Sequence, residues 1–363
     1  MKKQRLFGID VCRALAAYAV VLLHSGDKTW APLGFWASQI NSWFNFAVPF
    51  FLAASFYFMV PKLPIGFSGK FWKQRFERLL IPYAIWAGIY LGLKAVMFLL
   101  SKQPEKLQEL FQDPLAIFFF GATSIQLYYL PMLLAGTLGL IIICDPLAKR
   151  NISISTLAIL SILSIGLYEL LFITGNTFHL GPNIAFESLL KLIDPQVNNN
   201  PLLRILLVNI AWIIRCLPYM LLAMLLTKIT SQKESLIKGN IFGLTSLVLF
   251  GLVSVLGTSF MPNALHEVLS GYFILIFGIY ISNYLTANQL VDNLGLCSFG
   301  IYLMHPVFMQ ILEVVVRKVF PSILTEVSVI SKLTFSLPCF LITWLAVAML
   351  MRNKLVAKYM FGN

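Results

Sequence analysis

The sequence predicts an all-α polytopic membrane bundle of about ten transmembrane helices, with both termini cytoplasmic. Three observations carry that expectation. Of the 363 residues, 59% are hydrophobic and only 12% are charged, whereas soluble domains carry about 25% charged residues. Apolar runs long enough to cross the hydrocarbon core recur along the whole chain. The basic excess, a net charge of +12, sits in short clusters between those runs. That distribution marks topology and speaks against a nucleic-acid partner.

Taken in order, the first span is expected at 7–25, a run of Ala, Val and Leu interrupted by three ionisable residues, and the second at 40–60, rich in Phe and Ala. The third, 79–100, follows a basic segment, 61–78, in which Lys62, Lys70, Lys73, Arg75 and Arg78 outnumber Glu77. The apolar stretch 114–122 is too short to span and is expected at an interface or re-entering. Spans at 125–145 and 153–174 flank Lys149 and Arg150. The longest non-spanning segment, 175–201, combines an amphipathic piece, 186–193, with a polar run at 198–200. The last five spans are expected at 203–227, 240–260, 265–285, 294–313 and 330–351. Alternating sides places 16 of the 27 Lys and Arg residues on the segments that share the N-terminal side, among them Lys2, Lys3, Arg5, Lys233 and Lys238. This bias favours both termini inside.

There is no internal repeat, and the chain reads as a single integral-membrane domain, 1–363. The N-terminal run contains Asp10 and Arg13 and is not expected to be a cleaved signal peptide. The five cysteines, Cys12, Cys144, Cys216, Cys297 and Cys339, fall in or at the ends of apolar runs without a CxxC pair. They read as packing residues, with no disulfide and no metal expected.

The first span concentrates the chemistry. An ionisable group within a span costs roughly 2.5–3.5 kcal/mol on insertion scales, so it needs a partner or a purpose. Here Asp10, Arg13 and His24 share one span. Arg13 and His24 are eleven residues apart, which at about 100° per residue is close to three full turns. Asp10 lies three residues before Arg13, on a neighbouring part of that face. The three form a polar stripe about 20 Å long that must face a bundle interior or a wet cavity. One reading is structural, with Asp10 paired to Arg13 and His24 at the interface. The other is catalytic: Arg13 binds an anion and His24 acts as a general base, its ordinary pKa being near neutrality.

Arg75 and Arg78 anchor the inner face and are also suited to holding phosphates. His305 falls mid-span, ahead of Pro306, which is expected to loosen the helix. Glu169 and Arg215 read as partners or as lining one cavity, and His179 and His266 take no role. The chain has no G-x-S-x-G elbow, P-loop, G-x-G-x-x-G or H-E-x-x-H motif.

Five ordered segments give the chain a family resemblance. The first runs from Ile9-Asp10-Val11-Cys12-Arg13 to His24. The second is Val48-Pro49-Phe50-Phe51, and the third is Arg75-Phe76-Glu77-Arg78 leading to Pro82-Tyr83. The fourth is Leu127-Tyr128-Tyr129-Leu130-Pro131, and the fifth is Gly300-Ile301-Tyr302-Leu303-Met304-His305-Pro306. Together they resemble the membrane acyltransferase-3 family of bacterial integral-membrane O-acyltransferases. Phe56, Gln126 and Tyr128 depart from its usual Gly, His and Trp.

The resemblance implies an acyl-CoA donor, acetyl-CoA foremost, arriving from the cytoplasm. Its acyl group passes to a hydroxyl of an envelope glycan or a lipid-linked acceptor across the bacterial inner membrane. His24 is then base or acyl carrier, with Arg13 and Asp10 beside it in the catalytic set. Arg75, Arg78, Tyr302 and His305 bind the donor. A rival reading is a polysaccharide or lipid exporter, or flippase, that uses the same intramembrane polar groups.

Overall fold

The structure is a computed structural model describing residues 6–25, 31–65, 68–175, 184–232, 240–286, 288–319 and 326–363. Lys2, Lys3, Arg5, His179, Lys233 and Lys238 lie outside the described residues. The described residues form helices joined by short turns, with one isolated β-bridge between Leu33 and Val327. Within hydrocarbon a backbone must satisfy its own hydrogen bonds, and the helix does so within a single segment.

The first helix, α1 (Phe7–His24), coincides with the first expected span. The second expected span is two helices, α2 (Phe35–Phe44) and α3 (Ala47–Met59), broken at Asn45 and Phe46. Then α4 (Gly69–Leu100) starts well before residue 79, because the basic stretch continues the helix. Ser68 caps it, its Oγ accepting the Phe71 N–H at 3.3 Å. The short helices α5 (Pro104–Leu110) and α6 (Pro114–Phe119) follow. The fourth expected span is a 3₁₀ turn, Ile125–Tyr128, running into α7 (Tyr129–Gly139), a π turn, Leu140–Cys144, and α8 (Asp145–Lys149). Next come α9 (Ile154–Ile173), the single turn α10 (Glu187–Leu190) and α11 (Pro201–Gln232).

The last five helices are α12 (Asn240–Leu256), α13 (Asn263–Ile281), α14 (Gln289–Val319), α15 (Val329–Leu350) and α16 (Lys354–Phe361). Nine of the described helical segments are long and apolar enough to cross a membrane. The span expected at 240–260 is the apolar helix α12, 17 residues long, or about 25 Å.

The helices gather into two compact units, each assembled from separated parts of the chain. One comprises Met1–Phe58 with Leu226–Asn353, and the other Met59–Leu225 with Lys354–Asn363. In the first unit α1 packs against α2, α13, α14 and α15. Small residues set that packing, as is usual where lipid removes any hydrophobic drive between helices. A Cβ on Gly8 would lie 2.1 Å from the Gly278 carbonyl oxygen, so α1 and α13 meet backbone to backbone. Pro49, in the first turn of α3, sits against Gly271, where a Cβ would come within 2.7 Å of the proline backbone.

In the second unit, α4 carries Tyr83, whose hydroxyl meets the Ile117 and Phe118 carbonyls at 3.2 and 3.1 Å. The Gly121 N–H donates to the same hydroxyl at 3.0 Å. Gly121 has φ of +75°, so a side chain there would be strained as well as crowded. The C-terminal helix α16 docks on α4 through Trp86 Nε1, which donates to the Met360 carbonyl at 2.9 Å.

Candidate active site

All three ionisable residues of α1 face the interior of the first unit, but as two separate polar ends. At one end Asp10 is buried and accepts from Arg13 Nη1 at 3.0 Å. The Asp10 side chain is 5% exposed and that of Arg13 is 35% exposed. A buried carboxylate without a cation would be costly, and the i,i+3 spacing supplies one. Gly295 of α14 lies against Asp10, where any Cβ would come within 2.7 Å of the aspartate. The Arg13 guanidinium also stands over the Phe58 ring, 5.5 Å from its centroid. Its other N–H groups have no protein acceptor among the described residues. The guanidinium is therefore held by Asp10 and stands over Phe58, with about a third of the side chain exposed.

At the other end, His24 stacks on His305 of α14, with ring centroids 5.5 Å apart and planes 23° from parallel. Along the face between the two ends stand Ala17, Val20 and Val21, all buried. The continuous polar stripe expected from the spacing is thus divided by apolar side chains. The distance between its ends remains about 16 Å along the axis, for eleven residues at 1.5 Å each.

Pro306 does not break α14; it fixes His305. A proline lacks the N–H that would bond the carbonyl four residues back, leaving the Tyr302 carbonyl free. His305 Nδ1 takes that place, at 2.8 Å from Tyr302 O and 3.2 Å from Ile301 O. A carbonyl only accepts, so Nδ1 carries the proton and Nε2 of the neutral ring carries the lone pair. Nε2 is buried and has no hydrogen-bond partner among the described residues, and the whole side chain is 0% exposed. Tyr302 is buried too, edge-on to Phe51 of the Pro-Phe-Phe segment at 6.3 Å.

One residue of this end escaped the sequence reading. Lys332, in the first turn of α15, is 1% exposed, and its Nζ donates to the Ser25 carbonyl at 2.7 Å. It lies just inside the span expected at 330–351, where nothing in the local sequence marks its partner.

The second unit holds Arg75 and Arg78. Arg78 is exposed, as an anchor or a phosphate ligand requires. Arg75 is half-buried, and its Nε and Nη2 donate to Thr137 Oγ1 at 3.2 and 3.1 Å. Thr137 directs its own hydrogen to the Leu133 carbonyl at 2.7 Å, which turns its lone pairs toward the guanidinium. Elsewhere in this unit Arg204 forms a two-pronged pair with Asp113, at 3.0 and 2.5 Å. Arg215 is buried, with its guanidinium 5.9 Å from the Tyr128 ring centroid. A cavity of about 570 Å³ in the same unit is lined mainly by apolar side chains of α4, α6, α7 and α11. It contains none of the sequence-predicted site residues.

Helices of spanning length that carry two stacked histidines, and an arginine held by a buried carboxylate, define a polytopic membrane protein with ionisable groups inside its spans. The model of the acyltransferase-3 family, an acyltransferase domain, matches residues 6–352, and the chain belongs to that family. It is a multi-pass membrane acyltransferase. No curated protein and no solved structure matches the chain.

Proposed function

We propose that the protein transfers an acyl group, acetyl foremost, from cytosolic acyl-CoA to a hydroxyl of an envelope glycan or similar acceptor at the bacterial inner membrane, with both termini cytoplasmic. The observation that carries this reading is the stacked pair of His24 and His305. His24 removes the proton of the acceptor hydroxyl. The oxygen then attacks the thioester carbonyl, a C–O bond forms, the C–S bond breaks, and the coenzyme thiolate leaves and takes up a proton. His305 Nε2 is an acceptor-only atom, so it suits a second, neighbouring O–H of a glycan acceptor, the proton of the attacking hydroxyl going to His24. A buried polar atom without a partner calls for a ligand, and a neighbouring hydroxyl of the acceptor supplies one.

Arg13, held by Asp10, neutralises negative charge on the donor. In the second unit, Arg78 and the Thr137-supported Arg75 bind donor phosphates, for which the planar guanidinium is well shaped.

The test is acyl transfer from labelled acetyl-CoA by membranes that contain equal amounts of wild-type protein and of His24→Ala, together with the mass of the envelope glycans. Loss of a general base lowers the rate by about 10²–10⁴-fold. The wild type should shift acceptor mass by one acyl group and the variant should not. Full transfer by His24→Ala would overturn the reading, and a wild-type protein that ignores acyl-CoA would favour an exporter.

A further inference from the structure

We propose that Lys332 is a positioning residue for His24, acting through the carbonyl of Ser25; the inference rests on His24 being the base. The catalytic imidazole sits on the last residue of α1, where a helix is least constrained, because its final carbonyls have no partners within the helix. Here that end is held from three directions. The Ser25 N–H bonds back to the Val21 and Leu22 carbonyls at 3.0 and 3.2 Å. Ser25 Oγ donates to Val21 O at 2.6 Å. From α15, Lys332 Nζ reaches the Ser25 carbonyl at 2.7 Å, across 307 positions of sequence.

The third bond differs in kind from the other two. Ser25 and Lys332 are both buried, at 0% and 1% exposure. A neutral donor would satisfy a carbonyl, whereas a buried ammonium is expensive to place in a membrane protein. A cation at a helix C-terminus bonds the orphan carbonyl and also meets the negative end of the helix dipole. It therefore holds the terminus more firmly than a neutral donor can. The residue before the anchored carbonyl is His24, whose ring must lie against His305, and that ring is fixed by its own bonds to α14. Lys332 ties the α1 side of this pair as Tyr302 ties the α14 side.

Misplacing a catalytic group by about 1 Å can lower a rate roughly 10²-fold. Lys332→Met keeps the length and apolar bulk but loses charge and bond, while Lys332→Arg keeps both. Steady-state transfer should show kcat falling at least about ten-fold, and up to about 10²-fold, in Lys332→Met with KM for acetyl-CoA unchanged. Lys332→Arg should recover most of the loss. Membrane abundance is measured alongside to normalise kcat.

Three results would overturn the proposal: an unchanged kcat in Lys332→Met, a loss shared equally by the Arg and Met variants, or failure of the Met variant to accumulate, which would make the lysine purely structural. The His24→Ala result separates this inference from its premise. If His24→Ala is active the base assignment fails; if it is inactive and the Lys332 variants are normal, only the positioning role fails.

Discussion

Replacing Thr137 with valine tests whether Arg75 serves the donor. The change keeps the β-branched shape and removes one oxygen, the acceptor of both Arg75 Nε and Nη2. Hydrogen bonds to a charged group contribute about 1.5–3 kcal/mol when well buried. Both bonds here end on one oxygen and Arg75 is only half-buried, so solvent screening reduces the sum to about 1–2 kcal/mol. That energy keeps the guanidinium in place before the donor arrives. At 1.4 kcal/mol per tenfold, its loss should raise KM for acetyl-CoA about five- to thirty-fold. An interaction made equally in ground and transition states changes KM and leaves kcat alone.

The assay is initial-rate transfer against acetyl-CoA concentration at fixed acceptor, in membranes with matched protein levels. Thr137→Ser, which keeps the hydroxyl, should behave as wild type. A donor cut back to acetyl-pantetheine has no phosphate for Arg75 to hold, so its KM should be the same for wild type and Thr137→Val. An Arg75→Ala variant with unchanged KM for acetyl-CoA would refute the phosphate assignment. A normal Thr137→Val beside an impaired Arg75→Ala would refute the supporting role of the threonine.

Two further outcomes are expected from packing and charge. Gly8→Ala puts a Cβ 2.1 Å from Gly278 O, 2.5 Å from Ile281 Cγ1 and 2.7 Å from Ser282 N. The backbone must move to admit it, at a cost of about 1–3 kcal/mol or more, so the thermal midpoint in detergent should drop. Gly88→Ala meets nothing within 4 Å and should leave the midpoint unchanged. The second outcome concerns Asp113. Burial alone would raise its carboxyl, but the Arg204 hydrogen bonds and charge, with the Ala116 N–H, outweigh it and hold the group below the usual carboxylate range. A lowered folded value stabilises the protein above the ordinary carboxylate value of about 3.9 and loses that contribution as pH falls through and below it. The Asp113 side chain is 36% exposed, so the effect is modest, about 1 kcal/mol or less. The drop in midpoint between about pH 5 and pH 3 should shrink in Asp113→Asn; an equal drop in both proteins would show that the pair contributes nothing.

The spans were legible because hydropathy and backbone satisfaction select the same segments: an apolar run of sufficient length in lipid has to be a helix. Their ends were less legible. Hydropathy marks where hydrocarbon is tolerated, while α4, α11 and α14 continue as helix beyond 79–100, 203–227 and 294–313. The α4 extension depends on a serine cap, which no apolar window detects.

At the site, local geometry was readable and long-range geometry was not. The Asp10–Arg13 contact follows from a three-residue spacing. The tautomer of His305 follows from the proline next to it, although the proline reads at first as a helix breaker. Lys332 on Ser25 and Arg75 on Thr137 join positions 307 and 62 residues apart, and nothing local marks either partner. Both cations stand near span ends, where Lys and Arg usually mark topology. What marks them is a neutral protein acceptor, a backbone carbonyl or a threonine hydroxyl, in place of a carboxylate. Cations that support a site are therefore to be sought among those whose removal strands a particular carbonyl or hydroxyl.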